Sequence, residues 1–190
     1  MNKRFLEKVT SWLEFTSLLS GLGKKEKGDA FEVLVLHYLR LHPTYATQLE
    51  SVWHHQDVPP KTRKKLNLPD TDESIDLVAK TKDGGYWAIQ CKYREDENYS
   101  LTRRELATFT DLTFGVCKGF ELALVCTSSD RFSHKLTLHG ERISYIAGDS
   151  WRGLDSLFFK LLRRKLSHRP VTIEPYIPRP HQEEALKDAV

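Results

Sequence analysis

The chain is short of cysteine, of long apolar runs and of charge imbalance, and each shortage removes a class of protein. No stretch of its 190 residues approaches the roughly 20 apolar residues that a membrane-spanning helix needs. No signal peptide is visible, because Phe5, Trp12 and Leu13 are interrupted by Glu7, Lys8 and Glu14. The three cysteines (Cys91, Cys117, Cys126) lack metal-type spacing and form an odd set, so reduced thiols in a cytoplasm are the economical reading. His54, His55, His134 and His139 have no zinc-type spacing with cysteine or glutamate. Ser128, Ser129 and Ser133 lack a nucleophile-elbow context. There is no G-x-x-x-x-G-K-[ST] phosphate loop, which excludes ATP hydrolysis by that route. Internal repeats and low-complexity tracts are absent too. Lys and Arg number 29 against 26 Asp and Glu, and a net charge of +3 permits a polyanionic partner without requiring one. What remains is a globular chain. Nine Phe, seven Tyr and four Trp are too many to leave exposed, and the length suits one ordinary domain.

Apolar spacing organises that domain. Phe5, Val9, Trp12, Leu13 and Leu19 recur at helical intervals, and the glycines at 21 and 23 end the segment. Residues 1–23 therefore read as an N-terminal helical segment. After the charged stretch Lys24 to Lys27, Asp29 is a candidate N-cap for a helix from Ala30 to Leu41, which Pro43 closes. Leu49 to His54 is a weak strand candidate. Lys61 to Lys65 reads as a basic loop. Ser74 to Lys80 and Tyr86 to Tyr93 alternate around Asp83-Gly84-Gly85, the signature of a hairpin. Thr102 and Glu105 stand at capping-box spacing before a helix to about Phe114. Glu121 to Thr127 is nearly continuous in apolar residues, as in a strand buried on both faces. Arg142 to Ala147 reads as a further strand and Leu154 to Leu166 as a helix. This order predicts an α/β fold, a mixed central sheet flanked by helices. The domain would span 24–167. Four prolines in 168–180 make a linker composition. Residues 181–190 read as a helix start, as though a longer protein continued beyond them.

The chemistry concentrates around the hairpin. Strand alternation puts Ile75, Leu77 and Ala79 on one face and Asp76 on the other. Gln90 and Lys92, two residues apart, share a face roughly 6–7 Å along the strand. A carboxylate with an amide oxygen and an ammonium on the neighbouring strand makes a compact cluster. Hard cations such as Mg²⁺ take such oxygen ligands, and a lysine there can neutralise developing phosphate charge. The bland reading of all three is a solvated polar face. Register decides between them. A two-residue loop at Asp83-Gly84 pairs Asp76 with Cys91 and turns it away from Gln90 and Lys92. A three-residue loop, Asp83 to Gly85, pairs Asp76 with Lys92 and Val78 with Gln90. The second glycine favours the longer loop. Glu32 falls inside the apolar arc of its helix, where a carboxylate needs a cation, donors or a metal, unless it snorkels from the edge of that arc.

Three motifs carry a resemblance. Gly28-Asp29-Ala30-Phe31-Glu32, Ile75-Asp76-Leu77-Val78-Ala79 and Ala88-Ile89-Gln90-Cys91-Lys92-Tyr93 resemble, in order and spacing over about residues 24–150, the Mrr-like branch of the PD-(D/E)xK nuclease superfamily. The resemblance implies a restriction-endonuclease-like core and a metal-dependent DNA endonuclease in the cytoplasm of a bacterium or archaeon. It implies that Asp76, Gln90 through its side-chain oxygen, Cys91 through its backbone carbonyl and Glu32 hold Mg²⁺ (or Mn²⁺), with Lys92 the catalytic lysine. No proline precedes Asp76, a departure at a position that is loose in the family. Pro178-Arg179-Pro180-His181-Gln182-Glu183-Glu184 is similar to the segment that opens superfamily 2 helicase motors, where Gln182 would read the adenine of ATP. Nuclease followed by motor is the layout of single-polypeptide Type I restriction enzymes, with DNA as partner and transient dimers for double-strand cleavage. A plain amphipathic C-terminal helix is the other reading of that tail. Of the basic groups at 24–27, 61–65 and 160–165, only Lys61, Arg63, Lys64 and Lys65 sit near the hairpin motifs in sequence, and they are candidates for DNA phosphates. The alternative to an enzyme is a catalytically silent nuclease-fold module that binds DNA or a partner.

Overall fold

The structure, a computed structural model, describes residues 6–71, 74–132 and 142–167. The expected linker and motor segment, with Gln182, lie outside the described residues, as do Ser133, His134 and His139.

Helix α1 (Trp12–Leu19) starts at Ser11, whose hydroxyl accepts the Glu14 N–H at 3.2 Å. Trp12, Phe15 and Leu19 form its buried stripe, while Leu13, expected in that stripe, is 78% exposed because it sits about 100° round the helix from Trp12. Helix α2 (Lys24–Leu41) begins earlier than expected. Gly23 rather than Asp29 is the cap residue, and Glu26 closes the first turn by accepting the Gly23 N–H at 3.0 Å. Lys and Glu propagate a helix well, so Gly28 and Asp29 are carried inside it. Pro43 opens the short α3 (Pro43–Ala46).

Strand β1 (Leu49–His54) follows, and then α4 (Pro60–Leu66). The expected basic loop is therefore a helix. Pro60 presets its first turn, Leu66 anchors it in the core, and Asn67 ends it in the left-handed conformation at φ 50°. Strands β2 (Leu77–Thr81) and β3 (Tyr86–Lys92) form the hairpin. A two-residue strand β4 (Ser100–Leu101) precedes α5 (Arg103–Asp111). The Thr102–Glu105 capping box is formed there, and a wider π-type turn, Leu112–Val116, extends the helix. β5 (Phe120–Thr127), β6 (Arg131–Phe132), β7 (Ile143–Ile146), α6 (Gly148–Arg152) and α7 (Ser156–Leu166) complete the order.

The main sheet runs β1-β2-β3-β5-β7, with β1, β2 and β3 antiparallel and β3, β5 and β7 parallel. β4 and β6 pair separately. Two cores sandwich the sheet. Leu77, Ala79, Ile89, Leu124 and Cys126 join α1, α2, α6 and α7 in one. Val78, Ala88, Ala123 and Val125 join α4 and α5 in the other. β5 is thus buried on both faces, as its composition predicts. This is the expected α/β class, a mixed sheet flanked by helices.

The hairpin differs from both expected registers. Val78 pairs with Ala88 and Lys80 with Tyr86, because the three-residue loop is Lys82 to Gly84 rather than Asp83 to Gly85. Thr81 N–H donates to Gly85 O at 3.0 Å, and Gly84, not Gly85, takes the positive φ of +91°. Alternation also fails at the start of β2. Ile75 is buried in the α4–α5 core and Leu77 in the opposite one, so these two do not share a face. Asp76 N–H donates to Ile89 O at 3.0 Å, although Ile89 is already the partner of Leu77. Two residues thus face one, the arrangement of a β-bulge.

Candidate active site

The bulge decides where Asp76 goes. Its carbonyl accepts the His55 N–H at 2.9 Å, its N–H is spent on Ile89, and its Oδ2 accepts the N–H of Cys91. The carboxylate is held against the β3 backbone at the residue between Gln90 and Lys92. It lines a cavity of about 490 Å³ with Asp29, Glu32 and Val33 of α2, His54 at the end of β1, and His55 and Asp57 after it. Asp76 and Glu32, distant in sequence, therefore share one cavity. Glu32 is half-buried, between a core position and a solvated one.

Gln90 and Lys92 stand differently. Gln90 is 1% exposed, beside Val125 of β5, and its Oε1 has no hydrogen-bond partner. A buried amide oxygen without a donor costs free energy and suits a ligand that brings one, or a cation. Lys92 is half-buried and lines a neighbouring cleft of about 560 Å³ at the end of β3. That cleft also takes Lys24, Lys27 and Gly28 of α2, Arg94 and Tyr99, and Glu105 of α5. Asp76 and Glu32 share the first cavity and Lys92 borders the second, on the other side of the first turns of α2.

Cys91 meets Asp76 through its backbone N–H. Burial pushes its thiol well above the ordinary cysteine value, and the Asp76 carboxylate adds to the rise. Cys126, its neighbour on β5, is raised by burial and by Asp76 as well. Both stay protonated, and neither is poised as a nucleophile. Among the described residues, no three His, Cys, Asp or Glu side chains converge as a metal cluster. A cation here would have to draw instead on the mixed set of Asp76, Glu32, the Gln90 amide oxygen and a backbone carbonyl. All are hard oxygen donors of the kind Mg²⁺ takes while keeping several waters, and the orphaned Gln90 Oε1 fits that set.

Sequence reasoning passed over a second layer around Lys92. Arg94 donates to Glu105 at 2.6 Å, and Tyr99 donates to the same carboxylate oxygen at 3.1 Å. Burial works to raise the Glu105 pKa, but the Thr102 N–H and hydroxyl, Arg94 and Tyr99 outweigh it and hold the carboxyl below the ordinary carboxylate value. The Thr127 and Ser128 hydroxyls donate to the carbonyls of Lys92 and Arg94 at 2.9 and 2.8 Å, tying the end of β3 to β5. The capping-box spacing had marked Glu105, but only as a helix cap. Among the candidate DNA contacts, Arg63 donates to the carbonyls of His55 and Pro69, and Lys65 lies over the Tyr86 ring at 4.8 Å. Lys61 and Lys64 are exposed.

Comparison with known proteins extends this geometry. A family model described as a restriction endonuclease, Mrr_cat_2, matches residues 40–144, which include β1 to β6 and exclude Glu32. No curated protein matches the chain. Among solved structures, the ATP-dependent Type ISP restriction-modification enzyme LlaBIII bound to DNA is similar at 20% identity and a TM-score of 0.69. The likeness covers 95% of this chain but 11% of that one, so this chain spans about a tenth of that enzyme's length. A protein of unknown function, AF1548, is similar at 17% identity and a TM-score of 0.44, over 83% of this chain and 78% of that one. The likeness to LlaBIII bears on the fold. The family match takes in more than half of the chain and both strands of the hairpin, and it makes the chain a nuclease domain of the Mrr_cat_2 restriction endonuclease family.

Proposed function

We propose that the chain is a Mg²⁺-dependent DNA endonuclease domain that hydrolyses phosphodiester bonds by water attack. The observation that carries this reading is the shared cavity of Asp76 and Glu32, and the buried, unpartnered oxygen of Gln90 supports it. Asp76, Gln90, the Cys91 carbonyl and Glu32 would hold the ion. When bound, it would supply a more acidic water and neutralise charge on the scissile phosphate. The rest falls to the chain's own groups. The Cys91 N–H fixes the Asp76 carboxylate. Lys92, at the end of β3, orients the attacking water or stabilises the charge that develops on phosphate oxygens. Lys61 and Lys64, on the exposed side of α4, and Lys24 beside Lys92 are phosphate contacts.

The wider assignment follows the same line. Because the resemblance at Gln182 and the likeness to an ATP-dependent enzyme point the same way, the nuclease is coupled to an ATP-driven motor elsewhere in a longer protein, as in restriction or phage defence. Double-strand cleavage would use a transient dimer, in a cytoplasm.

The test is cleavage of supercoiled plasmid with Mg²⁺ by the parent, Lys92→Ala and Asp76→Ala, in the full-length protein if the domain alone is silent. Both variants should lose cleavage. Lys92→Ala should keep nearly all DNA binding, since one cation among many phosphate contacts lowers the salt slope by only about one. Chelation should stop cleavage and leave the circular dichroism unchanged, because the fold does not depend on the ion. A Lys92→Ala variant cutting at the parental rate would leave the silent DNA-binding module as the reading.

A further inference from the structure

The cleft at the end of β3 is rich in cations, yet one of them is already engaged. Lys27 reaches from α2 across to Glu95, on the segment that follows β3, and forms an ion pair with it. The two partners are unequal. The Lys27 side chain is 13% exposed and lies within the cleft, whereas that of Glu95 is 66% exposed. Lys27 is also rigidly placed. Phe31, one helical turn on, packs its ring against Tyr93 with centroids 5.8 Å apart, which fixes this face of α2 against the end of β3. Lys24, Lys92 and Arg94 line the same cleft, and Glu105 occupies Arg94. Gly28 leaves the wall beside Lys27 bare, since a Cβ there would meet nothing within 4 Å.

A well-solvated carboxylate on a largely covered ammonium is an exchangeable arrangement. An exposed carboxylate loses little when it returns to water, and an ion pair with one solvated partner contributes little to stability. A phosphate brings comparable charge and releases condensed counterions when neutralised. We propose that the Lys27–Glu95 pair is a displaceable latch over this cleft: a backbone phosphate of the bound nucleic acid takes the place of the Glu95 carboxylate on Lys27. The proposal rests on the reading of the chain as a DNA-cleaving domain. It makes Lys27 a substrate-binding residue and Glu95 its intramolecular competitor, set beside Lys92.

The test is a double-mutant cycle on DNA affinity. Binding of the whole chain to a double-stranded oligonucleotide would be titrated against salt in EDTA for the parent, Lys27→Gln, Glu95→Gln and the double variant. Asp96→Asn, a neighbouring exposed acid, controls for net charge. Glu95→Gln should tighten binding about two- to fivefold more when Lys27 is present than when it is absent, the range expected for releasing an exposed pair. It should also exceed the gain from Asp96→Asn. If Lys27→Gln loses helical circular dichroism, Lys27→Met completes the cycle. Equal gains with and without Lys27, or a gain matched by Asp96→Asn, would overturn the latch and leave the DNA-cleaving reading standing. Absence of salt-dependent binding in the parent would overturn both.

Discussion

Asp76 shows what a single residue needs from its surroundings. Its backbone is bonded on both sides, its side chain on a third, and none of these bonds requires its charge. Its carboxylate lines the cavity that Glu32 also lines. Glu105 is the opposite case, a carboxylate whose ionisation is itself structural. Its pKa is depressed in the folded chain, so its contribution is present above the unfolded carboxylate value and is lost as pH falls through the depressed one. Glu105→Gln should therefore be less stable than the parent near pH 7, and the gap should narrow at a pH below the ordinary carboxylate value. Urea unfolding at the two pH values measures this. A constant gap would show that packing, not ionisation, is what Glu105 contributes.

At the scale of elements, α2 is the clearest case. Gly28 lies in its second turn, where glycine costs about 0.5–1 kcal/mol against alanine and no neighbour demands it. Gly28→Ala should raise stability by that amount, read as a higher urea midpoint with unchanged slope. Most elements were legible in the sequence. The hairpin, the Thr102–Glu105 cap and the doubly buried β5 follow from alternation, capping chemistry and an apolar run. Two of the errors share a cause. The charged stretch Lys24–Lys27 is left outside the expected helix and Lys61–Lys65 reads as a loop, yet Lys, Arg and Glu are good helix formers whose polar heads need only reach water. The site was half legible. Residue types marked Asp76, Gln90, Lys92 and Glu32, but the face Asp76 takes depends on a bulge at residues 76–77. No alternation pattern encodes that, because it arises from Ile75 being pulled into the opposite core.

Over the whole molecule, Trp151 joins elements from both ends of the chain. Its ring meets Trp12 of α1, and Phe31 and Tyr38 of α2, with centroids 6.4, 5.3 and 4.8 Å away, and its indole N–H donates to Thr127 O of β5 at 2.8 Å. The N-terminal segment therefore shares a core with the sheet, although composition set residues 1–23 apart. Trp151→Ala should cost about 3–5 kcal/mol and lower Tm in one cooperative transition. Two separated transitions on calorimetry would show that α1 folds independently of the sheet.

The placement of α2 has a mechanical consequence. Lys27 borders one cavity and Glu32 the other, on the same rod, five residues and about 7.5 Å apart along its axis. Their separation is fixed by the helical repeat and not by the loops around them. Any force that slides or turns α2, from bound DNA or from a neighbouring domain, must shift the acid and the cation together. Sliding the rod along its axis would move Lys27 in its cleft and Glu32 in its cavity by the same amount, so the two cannot be adjusted independently. α2 is thus a single rigid frame that carries the lysine of one cavity and the acid of the other.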